Sequence, residues 1–320
     1  MSLVEVKHLS RRFGAFTAVT DVNFSFDAGE IYGFIGPNGA GKSTTMRILA
    51  TLDIPSEGDC TVGGLSTVDD ADEVRRLIGY MPDNYGTYPN MTVFEYLDFF
   101  ARAYRLNGQS RRRAVADVID FCQLGGLREK LITTLSKGMK QRLCLGRCLI
   151  HDPKLLILDE PSAGLDPRAR IEFRELLRLL AQQGKAIFIS SHILAELEEL
   201  CHGVAIIEQG KLVTAGQVGA IKAKATANRD AKGGEQQLST LEIRLAEPVD
   251  RVAEILAEQP ELSEVRIAGL TIEARFSGGN TAQAVLLKRL INAGLPIYHA
   301  SGRSENLEDL FMHITEGKVQ

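Results

Sequence analysis

The distribution of apolar and polar positions divides the chain into two stretches of different character. In the first, unbroken apolar runs recur at Ile31-Tyr-Gly-Phe-Ile35, Leu155-Leu-Ile-Leu158 and Ala186-Ile-Phe-Ile189. Short runs without polar alternation predict strands buried on both faces, as in a parallel core. Segments near residues 3–7, 20–26 and 59–62 predict a mixed edge sheet beside that core. Thr44-Thr-Met-Arg-Ile-Leu-Ala50 starts a helix directly after the first run. A helical insertion is expected at roughly 92–150, where Leu143, Leu145, Leu149 and Ile150 form an apolar face behind Ser136, a natural N-cap.

The second stretch begins after residue 222. Residues 223–238, opening Ala223-Lys-Ala-Thr-Ala, are polar, glycine-containing and aperiodic, which predicts a linker. Beyond it the pattern predicts strand (240–245), helix (249–258), strand (263–267), strand (270–276), helix (281–293), strand (297–301) and a last helix (306–316). Gly269 supplies the hairpin turn, and Gly294-Leu-Pro296 stops the long helix. The order βαββαβ is the ferredoxin-like arrangement. The expected organisation is a region 1–222, a linker 223–238 and a small α+β domain 239–320.

Composition adds few constraints. The formal charge is −4 over 320 residues, without a basic field, which argues against a nucleic-acid partner. Arg111-Arg-Arg113 is the basic cluster, expected on a solvated helix face. Cys60, Cys122, Cys144, Cys148 and Cys201 lack metal-site spacing and fit a reducing compartment, and Cys144 and Cys148, i and i+4 on one helix, are expected to fill core volume. No apolar stretch approaches the length of a membrane span, so any spanning part is expected on another polypeptide.

Chemistry enters at Gly36-Pro37-Asn38-Gly39-Ala40-Gly41-Lys42-Ser43, which fits G-x-x-x-x-G-K-[ST]. Glycines let consecutive N–H groups turn inward around phosphate oxygens. Lys42 supplies a cation for the β- and γ-phosphates, and the Ser43 hydroxyl is a hard oxygen ligand for Mg²⁺. Thr44 then opens a helix whose N-terminal dipole faces the phosphates. A nucleoside triphosphate with Mg²⁺ is the expected ligand, which the resemblance described below narrows to ATP. The run Leu155–Leu158 ends in Asp159 and Glu160, two carboxylates at the edge where open α/β sheets bind ligands. Asp159 is expected to serve Mg²⁺, directly or through water, and Glu160 to orient or deprotonate the attacking water.

Leu135-Ser136-Lys137-Gly138-Met139 heads the next helix, whose free N–H groups suit an anion. This segment resembles the signature of ATP-binding cassette (ABC) ATPases, usually Leu-Ser-Gly-Gly-Gln, and other family motifs follow in the family order. Phe13 resembles the aromatic that stacks on adenine, Ser162-Ala-Gly-Leu-Asp166 the D-loop, and His192 the switch histidine. Three positions depart from the family pattern. Asp83 stands where the Gln-loop glutamine is expected and could still ligate Mg²⁺, Lys137 replaces a glycine, and Met139 replaces the glutamine. Lys137 either adds a cation near a partner's γ-phosphate or points into water. The phrase Leu-Ser-Lys-Gly-Met-Lys-Gln-Arg is similar to ABC-2-type exporter subunits, and the C-terminal domain resembles one that many of them carry.

The resemblance implies an α/β fold: a P-loop cassette with a mixed sheet and a helical subdomain, followed by a ferredoxin-like domain. It implies an ATPase that pairs with a second such subunit, each phosphate loop closed by the other's signature. It also implies an integral-membrane permease partner and a cytoplasmic place, peripheral on the inner face of the membrane. The helical insertion and the Asp83 segment would grip the permease. Tyr85, Tyr88, Met91 and Phe94 cluster there, with Met91 and Phe94 either anchors or first-turn core. The competing expectation is a soluble ABC ATPase acting as a switch on ribosomes or DNA.

Overall fold

Ten strands, counted among the described residues, run through one sheet. They are β1 (Val4–Phe13), β2 (Phe16–Phe26), β3 (Ile31–Ile35), β4 (Glu57–Val62), β5 (Leu65–Ser66), β6 (Ile78–Met81), β7 (Leu155–Leu158), β8 (Ala186–Ser191), β9 (Gly203–Glu208) and β10 (Lys211–Gln217), in the spatial order β5-β4-β1-β2-β10-β9-β3-β8-β7-β6. The structure is a computed structural model that describes residues 2–84, 86, 88, 90–191, 194–221 and 238–303. The chain divides into two compact units, the first built on Met1–Val218 and the second on Gly219–Ile314.

The sheet of the first unit changes character along its width. β6, β7, β8, β3 and β9 pair in parallel, and every residue of β3, β7 and β8 is buried, as expected for strands covered on both faces. β1, β2 and β4 pair antiparallel and alternate more, which suits a sheet with one wet side. The β9–β10 hairpin, which the sequence reading does not anticipate, joins the halves: β10 is antiparallel to β9 and bridges to β2 in parallel at Lys211 and Thr20. At this junction Phe24, Phe26, Tyr32 and Phe188 stack with ring centroids 4.9 to 6.5 Å apart. Large rings buried on three strands, β2, β3 and β8, supply a major share of the apolar burial that stabilises the unit.

Helices α1 (Lys42–Leu49), α2 (Ala71–Leu77), α3 (Val93–Ala103), α4 (Gly108–Phe121), α5 (Lys137–Leu149), α6 (Pro167–Gln182) and α7 (Leu194–Leu200) complete the described part of this unit. The helical insertion is α3 to α5. Thr92 and Glu95 form a reciprocal capping box at the start of α3, and the Ser136 hydroxyl accepts from the Met139 N–H at 3.3 Å to cap α5. Arg111 departs from the solvated face expected of it. It pairs with Asp98 at 2.9 Å and ties α4 to α3, while Arg112 and Arg113 are exposed. All five cysteines are free and buried.

In the second unit β11 (Leu238–Leu245), α8 (Val252–Ala257), β12 (Leu262–Ala268), β13 (Thr271–Ser277), α9 (Asn280–Asn292) and β14 (Ile297–Arg303) follow the expected order. The sheet order is β12-β13-β11-β14 with antiparallel neighbours throughout, the ferredoxin-like topology. Leu241, Ile243, Leu245, Ile272 and Phe276 turn one sheet face into a core with Leu256, Leu286 and Leu290. The linker residues 223–237 and the expected helix 306–316 lie outside the described residues.

Candidate active site

The phosphate loop spans the gap between β3 and α1, so the parallel core presents it at the carboxyl edge of the sheet. Glycine is required at two of its positions by geometry. Gly41 has φ +102°, and a Cβ there would lie 2.7 Å from the Ala18 carbonyl oxygen; at Gly36 a Cβ would collide with the Ile207 carbonyl. Both contacts show the loop pressed against β2 and β9, leaving its concave side open. The unanticipated hairpin holds it there. Gly210 N–H donates to the Ala40 carbonyl at 3.1 Å, and Thr20 N–H donates to the Gly210 carbonyl at 2.7 Å.

Lys42 is almost fully buried. Its ammonium donates to the Gly36 carbonyl at 2.6 Å and the Pro37 carbonyl at 3.3 Å, and stands 3.6 Å from a Glu160 carboxylate oxygen. The side chain thus folds over its own loop with its charge facing the acid pair at the end of β7. Asp159 is 3 % exposed. Its N–H donates to the Met81 carbonyl at 2.9 Å, which fixes it to β6. Glu160 adopts φ +48°, a left-handed conformation that turns the chain away from β7. A cavity of about 290 Å³ is lined by Pro37, Asn38, Gly39, Gly41, Lys42, Ser43 and Thr44, with Asp83, Glu160, Ala18 and Phe16 around them. Asp83, 76 residues ahead of Asp159 in sequence, therefore reaches the rim of the phosphate cavity.

The donor set fits MgATP. The loop's backbone N–H groups and one lysine suit phosphate oxygens, while the Ser43 hydroxyl, Asp159 and Asp83 offer hard oxygen ligands. Among the described residues no three His, Cys, Asp or Glu side chains converge on a metal site.

Phe13 and Phe16 face each other across the β1–β2 turn, 45 % and 51 % exposed. The Arg11 guanidinium lies 4.4 Å over the Phe13 ring. Phe16 lines the phosphate cavity, a contact the sequence reading missed; the aromatic at the other end of a two-residue turn was its only signal. His192 lies outside the described residues.

The signature residues are not brought to this cavity. Leu135 is buried, whereas Ser136, Gly138 and Met139 line a second cavity of about 410 Å³ with Asp166, Arg142 and Glu172. Asp166 caps α6 by accepting from the Ala169 N–H at 2.9 Å. A Cβ at Gly138 would be 3.1 Å from the Ala169 Cβ, so the signature packs closely on α6. Lys137 is exposed, with its ammonium close enough to Gly164 of the D-loop segment that a Cβ there would clash with it. The phosphate loop with its acids and the N-terminus of α5 thus open onto separate cavities.

A third cavity, of about 310 Å³, lies between the end of α1, β6 and the helical insertion. Leu52, Tyr80, Phe100, Tyr104, Arg147 and Cys148 are among its lining residues. Tyr80 is pushed up to about 12, chiefly by burial and then by the Asp159 charge. Nearby, Tyr88 is half exposed and packs on Phe99 at 5.8 Å. Arg128 lies 4.3 Å over the ring of Phe94, which makes Phe94 part of the insertion's own packing. Tyr85 lies outside the described residues.

Residues 19–163 match the family model described as ABC transporter. The chain is 32 % identical over 320 residues to the Nod factor export ATP-binding protein I of Burkholderia orbicola (strain AU 1054), covering 99 % of this chain and 98 % of the relative. Among solved structures it is similar to an ATP-binding subunit of an ABC transporter, at 32 % identity and a TM-score of 0.64, over 70 % of this chain and 93 % of that one. CbiO1 of Clostridium perfringens, part of the ABC transporter complex CbiONQ, matches at 26 % identity and a TM-score of 0.64, over 72 % of this chain and 94 % of that one. A dimeric ATP-binding cassette in a post-hydrolysis state with ADP and Pi matches at 25 % identity and a TM-score of 0.60, over 67 % of this chain and 98 % of that one.

Proposed function

The chain belongs to the ABC transporter family as an ATP-binding subunit, and from that premise we propose that it powers export through a separate permease of the ABC-2 type. The observation that carries the ATPase chemistry is the 3.6 Å approach of Lys42 to Glu160 across a cavity that Ser43, Thr44 and Asp83 also line. Lys42 and the loop N–H groups bind the triphosphate, and Phe13 and Phe16 hold the base end. Ser43, Asp159 and Asp83 would hold Mg²⁺, which supplies charge neutralisation on the transferred phosphoryl oxygens. Glu160 holds the attacking water and receives its proton.

The separation of the signature from the phosphate loop supports a two-subunit site. Ser136, Gly138 and Met139 open onto a different cavity, so an anion bound at the α5 N-terminus comes from a second subunit. The dimeric post-hydrolysis relative supports the same arrangement. The cavity around Leu52, Tyr80, Phe100 and Tyr104 is the seat we propose for a permease segment, with apolar walls and Arg147 at its edge.

Among the described residues no helix is long and apolar enough to cross a membrane. On the export reading proposed here, the chain is a cytoplasmic subunit held peripherally on the inner face of the membrane by its permease. Export is favoured because the relative matched along its full length is an export ATP-binding protein. None of these relatives supports a soluble switch on ribosomes or DNA. The test is to purify the tagged chain from detergent-solubilised membranes of its own host. Co-purification of an integral-membrane permease, with MgATP turnover by the complex, is expected; a chain that recovers with ribosomes or DNA and no membrane protein refutes the export reading.

A further inference from the structure

Ser190 is the penultimate residue of β8, with its side chain fully buried, two residues before His192, and the phosphate chemistry described above does not use it. Its hydroxyl oxygen accepts from the Glu160 N–H at 2.8 Å and stands 2.7 Å from an Asp159 carboxylate oxygen. A serine hydroxyl carries one proton. The amide can only donate and the carboxylate can only accept, so that proton lies toward Asp159. The orientation of the hydroxyl is therefore fixed by its two partners.

We propose that Ser190 is a positioning residue that clamps the acid pair, aiming Asp159 at the metal and Glu160 at the water. The proposal rests on the ATPase reading given above. Two features show why the pair needs a clamp. Glu160 occupies a left-handed backbone conformation that an ordinary L-residue disfavours, and the bond to its N–H ties that turn to β8. Asp159 has two oxygens able to serve a metal, and the hydrogen bond from Ser190 engages one of them, which leaves the other free of that bond. Register makes the contact available: Leu158 pairs with Ile189 in the parallel β7–β8 ladder, so the next residues on the two strands are neighbours. Phe34 pairs with Ser190 on the other side, tying the clamp to the strand that leads into the phosphate loop.

The clamp predicts a split that general loosening does not produce. Ser190→Ala removes both hydrogen bonds without adding volume. Turnover is expected to fall about 10- to 100-fold, as for loss of a hydrogen bond to a charged group at a reacting centre. Binding of a fluorescent ATP analogue without metal should stay within about threefold of wild type, because the phosphate loop is untouched, while the Mg²⁺ concentration that half-saturates nucleotide binding should rise about tenfold, a fold-change equivalent to ~1.4 kcal/mol. Ser190→Cys keeps a weak donor of similar size and should shift the same readouts less, which serves if the alanine variant is poorly folded. Wild-type turnover with Ser190→Ala matching its rate and its Mg²⁺ curve overturns the clamp. So does an equal loss of metal-free affinity, which marks a merely structural role. Wild-type protein that neither binds nor hydrolyses MgATP overturns the ATPase reading itself, and the clamp with it.

Discussion

Glu160→Gln separates binding from chemistry more sharply than any other single change. The glutamine keeps the shape of the side chain and a carbonyl acceptor, but loses the charge and the basic oxygen. In the structure that charge stands 3.6 Å from the Lys42 ammonium, with the lysine side chain 7 % and the glutamate side chain 14 % exposed. At an effective dielectric of about 20, a pair at that separation attracts by roughly 4–5 kcal/mol. Most of this returns as hydration when the lysine is released, as it does for buried ion pairs generally. A residual gain of ~0.7–2 kcal/mol remains for the incoming triphosphate, which no longer competes with a carboxylate for Lys42, so affinity should rise about 3- to 30-fold. Turnover should fall by ~10²–10⁴, the range for losing a positioned general base. Affinity is read by equilibrium titration with a fluorescent ATP analogue and turnover by steady-state phosphate release, on one preparation. Turnover within threefold of wild type would refute Glu160 as the base. A tenfold loss of affinity would show that Glu160 holds Lys42 in place instead of competing with phosphate for it.

Three further outcomes are expected. Asp83→Asn should weaken the Mg²⁺ dependence of hydrolysis more than metal-free ATP binding, because a divalent cation outweighs the repulsion of the γ-phosphate at that carboxylate; identical Mg²⁺ curves would exclude Asp83 as a ligand. Gly41→Ala should lower nucleotide affinity at least tenfold and destabilise the protein by about 1–3 kcal/mol, since φ +102° strains any L-residue and the new Cβ would press on the Ala18 carbonyl; thermal melts and nucleotide titration report both. Truncation after residue 221 should leave a folded, ATP-binding cassette, since every phosphate-handling residue lies upstream; insoluble protein, or soluble protein without nucleotide binding, would contradict separate domains.

What could be read from the sequence was what depends on neighbours in sequence. Gly36, Gly41, Lys42 and Ser43 sit at fixed spacing because one loop wraps one group of phosphates, and a strand-ending Asp159-Glu160 carries its meaning locally. The strand and helix order of the second unit was equally legible, because Leu241, Ile243 and Ile272 alternate with polar residues over short, well-punctuated strands. Contacts between distant segments were not. Ser190 reaches Asp159 across 31 positions, a distance that no periodicity encodes. Arg111 looks like a surface charge until α3 brings Asp98 beside it. The β9–β10 hairpin gave no motif, although Gly210 anchors Ala40 of the phosphate loop. Nothing local to Lys137 shows Gly164 folding back close to its ammonium.

The most direct test of the central claim, that the phosphate loop and the β7 acids form one ATP-hydrolysing site, is Mg²⁺-dependent phosphate release by the wild-type chain beside Lys42→Ala. Lys42 is the basic side chain in the loop, and its removal leaves Glu160 facing the triphosphate without a cation between them. Wild type is expected to release phosphate from ATP only with Mg²⁺ present, and Lys42→Ala to lose at least about tenfold in nucleotide affinity together with turnover. Unchanged affinity and turnover in Lys42→Ala would show that the loop is not the site.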